Sequence, residues 1–252
     1  MINNNLLSLE NLRADTREVL LKLANSKRRF LDNFVLVGGS ALALRIGHRE
    51  SEDLDFFSYT DWFNTETISE IRDLFNKSTS SLGIAHDDQF DIKLNGVKVT
   101  FVPTGKYSEW RFLKPTSQDN KVGRIYVATI EQIAGMKAYT ITRRAKFRDY
   151  YDLYVLVKDY MTLDELFQHA KALLLGITWQ VFCNALTYIE TIQEEHINHL
   201  KPKFKVTLTE IKEFFENEIA KYSENNLTNK TISIEKKIST IRAKNNHEYK
   251  VK

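Results

Sequence analysis

The run from Phe34 to Phe57 constrains this chain more tightly than any other stretch of its sequence. Phe34-Val35-Leu36-Val37 is a short apolar run rich in aromatic and β-branched residues, which reads as a buried strand. Gly38-Gly39 ends it, and Ser40 opens a short helix over Ala41 to Ile46, with Gly47 placed as its C-cap. Asp53-Leu54-Asp55-Phe56-Phe57 then reads as a second strand. Side chains alternate along a strand, so Asp53 and Asp55 project from one face while Leu54 turns into the core. The pattern requires a sheet with two carboxylates on one surface and a helix N-terminus close by.

The remaining pattern fills in an α+β protein. Ser8 is placed as the N-cap of a helix carrying Leu9, Leu12, Val19, Leu20, Leu23, Phe30 and Leu31 at helical spacing. Thr65 begins another, burying Ile68, Ile71, Leu74 and Phe75. Phe90 to Val102 is a hairpin: two alternating strands meet at Asn95-Gly96, a pair suited to a type I′ turn. That two-residue loop fixes the register, setting Leu94 opposite Val97, Ile92 opposite Val99 and Asp91 opposite Thr100. Arg124 to Val127 forms a further strand, and Thr129 with Gln132 makes a capping box for the next helix.

Beyond that point the pattern is helical. Thr162 with Glu165 is a second capping box, Trp179 to His199 reads as helix, and Thr209 starts an amphipathic segment burying Ile211, Phe214, Phe215 and Ile219. The chain therefore divides near Ala128. Residues 1–128 form a small mixed-sheet domain with an N-terminal helix, 129–222 a helical domain, and 223–252 a basic tail. The tail carries seven Lys/Arg against three Glu, a charge that suits a phosphate backbone as well as it suits water. Cys183 is the sole cysteine, which excludes an internal disulfide. With no basic-then-apolar leader and no apolar run long enough to span a bilayer, a cytoplasmic protein without membrane association is expected.

The chemistry follows from the same run. Transfer of a nucleotidyl group needs a cradle for a triphosphate, divalent metal and a placed acceptor. Gly38 and Gly39 let the backbone approach closely, the helix start offers free N–H groups and a positive dipole end, and the Ser40 hydroxyl adds a donor. Asp53 and Asp55 repel one another unless a cation lies between them, and Mg²⁺ (or Mn²⁺) prefers such oxygen ligands. Each feature also has a plain reading: a Gly-Gly turn as mere geometry, and two solvated aspartates on an edge strand.

A buried strand, Gly-Ser at a helix start, twelve residues and Asp-Leu-Asp-Phe together resemble the signature of the DNA polymerase β-like nucleotidyltransferase superfamily. More narrowly, VGGSALALRIGHRESEDLDFF resembles the first motif of the AbiEii/AbiGii toxin family. MKAYTITRRAKFRDYYDLYVL resembles that family's downstream motif. The resemblance implies an NTP substrate, with Lys137 contacting the β/γ end of the triphosphate, Asp149 as a second essential acid, and Arg148 and Asp152 as its neighbours. It further implies an RNA acceptor such as tRNA, a role as the toxin of a toxin–antitoxin or abortive-infection system, and a cognate antitoxin partner. Plainer readings stand beside these: Lys137 as a solvated helix lysine, Arg148 with Asp152 as an i,i+4 ion pair, and Arg143 with Arg144 as cations suiting a helix C-terminus. Arg49, in the loop before the Asp strand, is read as a phosphate contact, and His48 beside it as a loop hydrogen-bonder.

At one position the chain departs from the pattern. Superfamily members usually carry a third carboxylate on a neighbouring strand, where this chain has Thr100. A neutral hydroxyl is a poor Mg²⁺ ligand and no base at neutral pH. Asp91, facing Thr100 across the hairpin, is the candidate to replace it as a catalytic residue. Two other functions compete with this reading: a small-molecule or protein nucleotidylating enzyme, and a catalytically weak nucleotide-binding module.

Overall fold

The structure is a computed structural model and describes residues 7–27, 29–58, 66, 69–70, 73, 79–81, 85–86, 89–104, 114–115, 120–144, 146–192 and 197–224. Its elements in chain order are α1 (Ala14–Ala24), β1 (Phe34–Val37), α2 (Gly38–Ile46), β2 (Leu54–Ser58), β3 (Thr79–Ser81), β4 (Ala85–His86), β5 (Gln89–Leu94), β6 (Val97–Pro103), β7 (Lys121–Val122) and β8 (Ile125–Val127). The helices α3 (Ile130–Ile141), α4 (Phe147–Asp159), α5 (Leu163–Leu173) and α6 (Trp179–Thr187) follow, and residues 208–224 form α7.

One mixed sheet runs β3-β5-β6-β2-β1-β8-β7, with β4 also paired to β5. β2 lies antiparallel to β1 and parallel to β6, so the acidic strand sits at the centre of the sheet and not at an edge. Its burial alternates: Leu54 and Phe56 are fully buried, while Asp55 and Phe57 occupy the other face. On the buried face Phe56 stacks on Phe101 at 5.2 Å, and Phe34 meets Phe101 edge-on at 5.3 Å. Large aromatic side chains of this kind each contribute about 1.5–3 kcal/mol on burial. Removing that face would therefore disorder the strand that carries the carboxylates.

The hairpin has the register its turn dictates, with Leu94 opposite Val97, Ile92 opposite Val99 and Asp91 opposite Thr100. Asn95 and Gly96 both take positive φ, 47° and 87°, as a type I′ turn requires. Gly47 ends α2 in the left-handed conformation, and both expected capping boxes form, at Thr129 and at Thr162.

Several boundaries differ from the sequence pattern. Ser8 makes no side-chain cap. A single 3-10 turn, Leu9–Asn11, follows it, and α1 starts only at Ala14. The chain is diverted there because Leu12 bridges to Ser51 and Arg13 N–H donates to Ser51 O, tying the N-terminal segment to the loop before β2. The helix expected from Trp179 to His199 stops at Thr187, where the Tyr150 hydroxyl bonds the Ala185 and Tyr188 carbonyls. α7 begins earlier than Thr209, capped by Thr207, whose hydroxyl accepts from Glu210 N–H at 3.2 Å. Most of the helix expected from Thr65, and the tail beyond residue 224, lie outside the described residues. The apolar core continues from the sheet through α2 into α3 and α4 without a break at Ala128.

Candidate active site

The register of two strand pairs builds the site. Val37 is opposite Asp55 in the β1–β2 pair, so the chain leaves β1 directly beside the Asp55 carboxylate. Gly38 takes φ +69° there, and a Cβ added to it would lie 2.6 Å from Asp55 Oδ2. A side chain at this position would thus be strained and would displace the carboxylate. α2 starts at Gly38, two residues before the Ser40 start expected, so the glycines form its first turn, where backbone N–H groups have no intrahelical acceptor. A Cβ on Gly39 would lie 2.8 Å from Arg49 Nη2.

This turn borders a cleft of about 440 Å³. Its floor is the sheet face bearing Asp53, Asp55 and Thr100, and its far wall is built from α3 and the start of α4. Lys137, Arg144, Arg148 and Lys98 all reach it. Burial raises the Asp55 carboxyl above its ordinary range, and the neighbouring Asp53 charge raises it further. Asp53 is also raised, mainly by burial, although Arg148 opposes this from 3.8 Å. A pair of partly buried carboxylates repelling one another is a site that a divalent cation relieves. Two protein carboxylates completed by water and phosphate oxygens is an ordinary ligand set for Mg²⁺, so the residues present fit such an ion.

Beneath the cleft lies a buried ion network. Asp152, fully buried, accepts from Arg49 through Nε at 2.8 Å and Nη2 at 3.0 Å, and from His48 Nε2 at 2.7 Å. Lys137 Nζ lies 2.6 Å from Asp152 Oδ2 and donates to Asp149 Oδ1 at 2.8 Å. Burial pushes the Asp152 carboxyl up, but Arg49, Lys137 and His48 outweigh it and hold it well below the usual carboxylate range. Burial opposes the charge on Lys137 as well, and Asp149 and Asp152 overcome that, keeping the ammonium protonated. For His48 burial wins, and the ring stays neutral below its ordinary value.

Against the sequence reading, Asp53, Asp55, Gly38, Gly39, Arg49, Lys137, Arg148 and Asp149 all line the one cleft. Two expected residues do not. The Ser40 hydroxyl is buried and donates to the Asp53 backbone carbonyl, fastening α2 to the start of β2 instead of facing the cleft. Asp91 has the expected register and face, but β6 stands between it and β2, two strand spacings or about 9.6 Å of backbone away. Its carboxylate bonds Gln89 at 2.8 Å and Lys98 at 3.1 Å, and among the described residues no third His, Cys, Asp or Glu joins Asp53 and Asp55 in a metal-holding group.

Some plain alternatives also fall. Lys137 is not solvated, and Arg148 pairs not with Asp152 but with Asp53 and, at 4.0 Å, Glu52. Arg49 reaches the cleft with its guanidinium already held by Asp152. Three participants had no such role in the sequence reading: Asp152, read as a neighbour of Asp149, is the hub; Arg144, read as a cation suiting a helix C-terminus, sits 3.6 Å from Asp149 Oδ2; and Lys98 was given no part in the site. Lys98 was legible, being two residues before Thr100 and so on the same strand face. Asp152 had a weaker signal, its position one helical turn after Asp149.

A glycine turn against an acidic central strand, facing a cationic wall, is the working arrangement of a nucleotidyltransferase. A family model agrees: that of the nucleotidyl transferase AbiEii toxin, type IV toxin–antitoxin system, matches residues 20–229. The chain belongs to that family, and it is a nucleotidyltransferase of the toxin type. An uncharacterised protein of Aquifex aeolicus (strain VF5) is 30% identical over 221 residues, spanning 86% of this chain and all of the relative. Among solved structures, a protein from H. pylori matches with a TM-score of 0.49 at 19% identity, over 82% of this chain and 93% of its own. MenT4, a nucleotidyltransferase toxin from Mycobacterium tuberculosis H37Rv, also gives 0.49, at 16% identity over 82% and 85%. No helix among the described residues is long and apolar enough to cross a membrane.

Proposed function

We propose that this protein uses a divalent cation, Mg²⁺ or Mn²⁺, to move a nucleoside monophosphate from an NTP onto an RNA acceptor such as tRNA, in a system where a cognate antitoxin opposes it. The observation that carries this is the pairing of Asp53 and Asp55, both raised by burial, with the α2 N-terminus beside them. When bound, the cation neutralises the developing charge on the transferring phosphoryl group. Asp53 and Asp55 would hold it. The backbone N–H groups at Gly38 and Gly39 bind phosphate oxygens, and Lys137 with Arg148 complements the remaining charge from the opposite wall. Asp149 Oδ2 is buried in a residue that borders the cleft and, beyond an ion pair to Arg144 at 3.6 Å, has no hydrogen-bond partner among the described residues, which supports a role in accepting from a hydroxyl of substrate or acceptor.

The basic segment 223–252 suits the acceptor's phosphate backbone through counterion release. The test incubates the protein with Mg²⁺, total cellular RNA and each labelled NTP in turn, and separates the products by gel. Label on RNA is expected, and removal of Asn226 to Lys252 is expected to weaken RNA binding and flatten its salt dependence. Label on a protein or a small molecule would move the acceptor to another class. NTP binding without transfer would reduce the site to a binding module, the outcome that Thr100 in place of a third carboxylate favours.

A further inference from the structure

We infer that Asp152 is a positioning residue for nucleotide binding: through Arg49 it fixes the glycine turn, and through its ion pair it holds the Lys137 ammonium at the cleft wall. The inference rests on the cleft being the NTP site. Asp152 itself does not line it, so any effect it has on a ligand passes through its neighbours.

Lys137 donates to Asp149 Oδ1 at 2.8 Å and is ion-paired with Asp152 Oδ2, 2.6 Å from its Nζ. Two carboxylates against one ammonium hold its position at the cleft wall. A lysine free to move could sit at many places along the wall; this one is held between Asp149 and Asp152 while still lining the cleft. The second arm runs through Arg49. Asp152 grips it bidentately, at 2.8 and 3.0 Å, and the gripped Nη2 occupies the space where a Gly39 side chain would begin. The anion-binding turn therefore rests on a guanidinium whose place Asp152 sets.

Charge balance explains why this residue must be an aspartate. Arg49 and Lys137 bring two positive charges into the interior, Asp149 and Asp152 bring two negative ones, and His48 stays neutral. Removing the Asp152 charge frees Lys137 to turn wholly toward Asp149 and leaves Arg49 without its partner.

The experiment measures binding of ATP, GTP, CTP and UTP with Mg²⁺ by calorimetric titration, at a temperature where circular dichroism shows each variant folded. Asp152→Asn is expected to weaken the tightest of them about ten-fold, the scale of a lost charge-assisted hydrogen bond. Lys137→Met is expected to cause a similar loss, and the double variant little more than either alone, because both act along one path. A residue that only stabilised the fold would leave the affinity of the folded protein unchanged. Native affinity in folded Asp152→Asn, or losses that multiply in the double variant, would therefore overturn the inference. If Asp152→Asn does not fold, Asp152→Glu decides: it keeps the charge but shifts the carboxylate by one methylene, and wild-type affinity in it sinks the idea. Failure of the unaltered protein to bind any NTP would instead remove the nucleotide reading, and this inference with it.

Discussion

Asp55→Asn should make the cation-free protein more stable while abolishing transfer. Asp53 and Asp55 are two residues apart along one strand face, two rises of about 3.3 Å, so their charges sit about 6.6 Å apart. At that distance two like charges repel by about 0.6 kcal/mol in a water-like dielectric and about 2.5 kcal/mol at the effective value for groups near a protein surface. Asp53 is 34% exposed and Arg148 stands 3.8 Å away, so the lower part of that range applies, about 1 kcal/mol. Desolvation of Asp55 acts in the same direction, and asparagine relieves both without changing shape. For a chain of this size about 1 kcal/mol is about 2–4 °C in Tm.

The pH dependence carries a sign that can be checked. The folded carboxyl is raised, so folding is penalised once pH rises through the folded value. The penalty vanishes as pH falls below the unfolded one, about 3.9. The Tm advantage of Asp55→Asn in EDTA should be full at pH 7.5 and close toward pH ~4. Excess Mg²⁺ should reverse the order at pH 7.5, because the ion stabilises the wild-type site and binds the variant poorly. Differential scanning fluorimetry with and without Mg²⁺ reads all of this, beside the labelled-NTP transfer assay. A variant that melts below wild type in EDTA at pH 7.5 would refute the reasoning, since the pair would then be compensated by the protein itself.

Two further outcomes are expected. Gly38→Ala should lower stability by about 1–2 kcal/mol for its left-handed backbone alone, and abolish transfer by pushing Asp55 aside; thermal melts and the transfer assay check both. His48 is buried and neutral among Asp152, Arg49, Lys137 and Tyr151. Its contribution to stability is therefore present above the unfolded value of about 6.5 and is lost as pH falls below it; denaturant titrations should show a steeper decline between pH 6.5 and 5 in wild type than in His48→Gln.

How far the sequence carried can be judged element by element. The β1–α2–β2 unit and the hairpin were legible because their signals are local: glycine conformations, a two-residue turn and strict alternation act over a few bonds. The network around Asp152 was not, because Arg49 and Asp152 lie 103 positions apart and nothing in either neighbourhood states that they meet. Asp91 marks the limit of register arguments. Pairing fixes which face a side chain shares, and the order of strands then sets the distance. With β6 between β5 and β2, the same face still leaves Asp91 beyond reach of the acidic pair. The ends of α1 and α6 were misplaced for a related reason, since the Leu12–Ser51 bridge and the Tyr150 hydroxyl override apolar periodicity from a distance.

The distribution of compensated and uncompensated charge locates the chemistry independently of any motif. Asp152, fully buried, has three donors and sits well below its ordinary range, so the fold has already met its electrostatic need. Asp55, a few ångströms from a helix N-terminus, is raised, and Lys137, Lys98 and Arg144 only partly offset it. Proteins neutralise buried charge unless function requires otherwise. A chain able to surround one aspartate with an arginine, a histidine and a lysine leaves two others side by side on the cleft floor. That unmet demand is for a positive charge supplied from outside, and it lies beside the backbone turn best placed to receive phosphate.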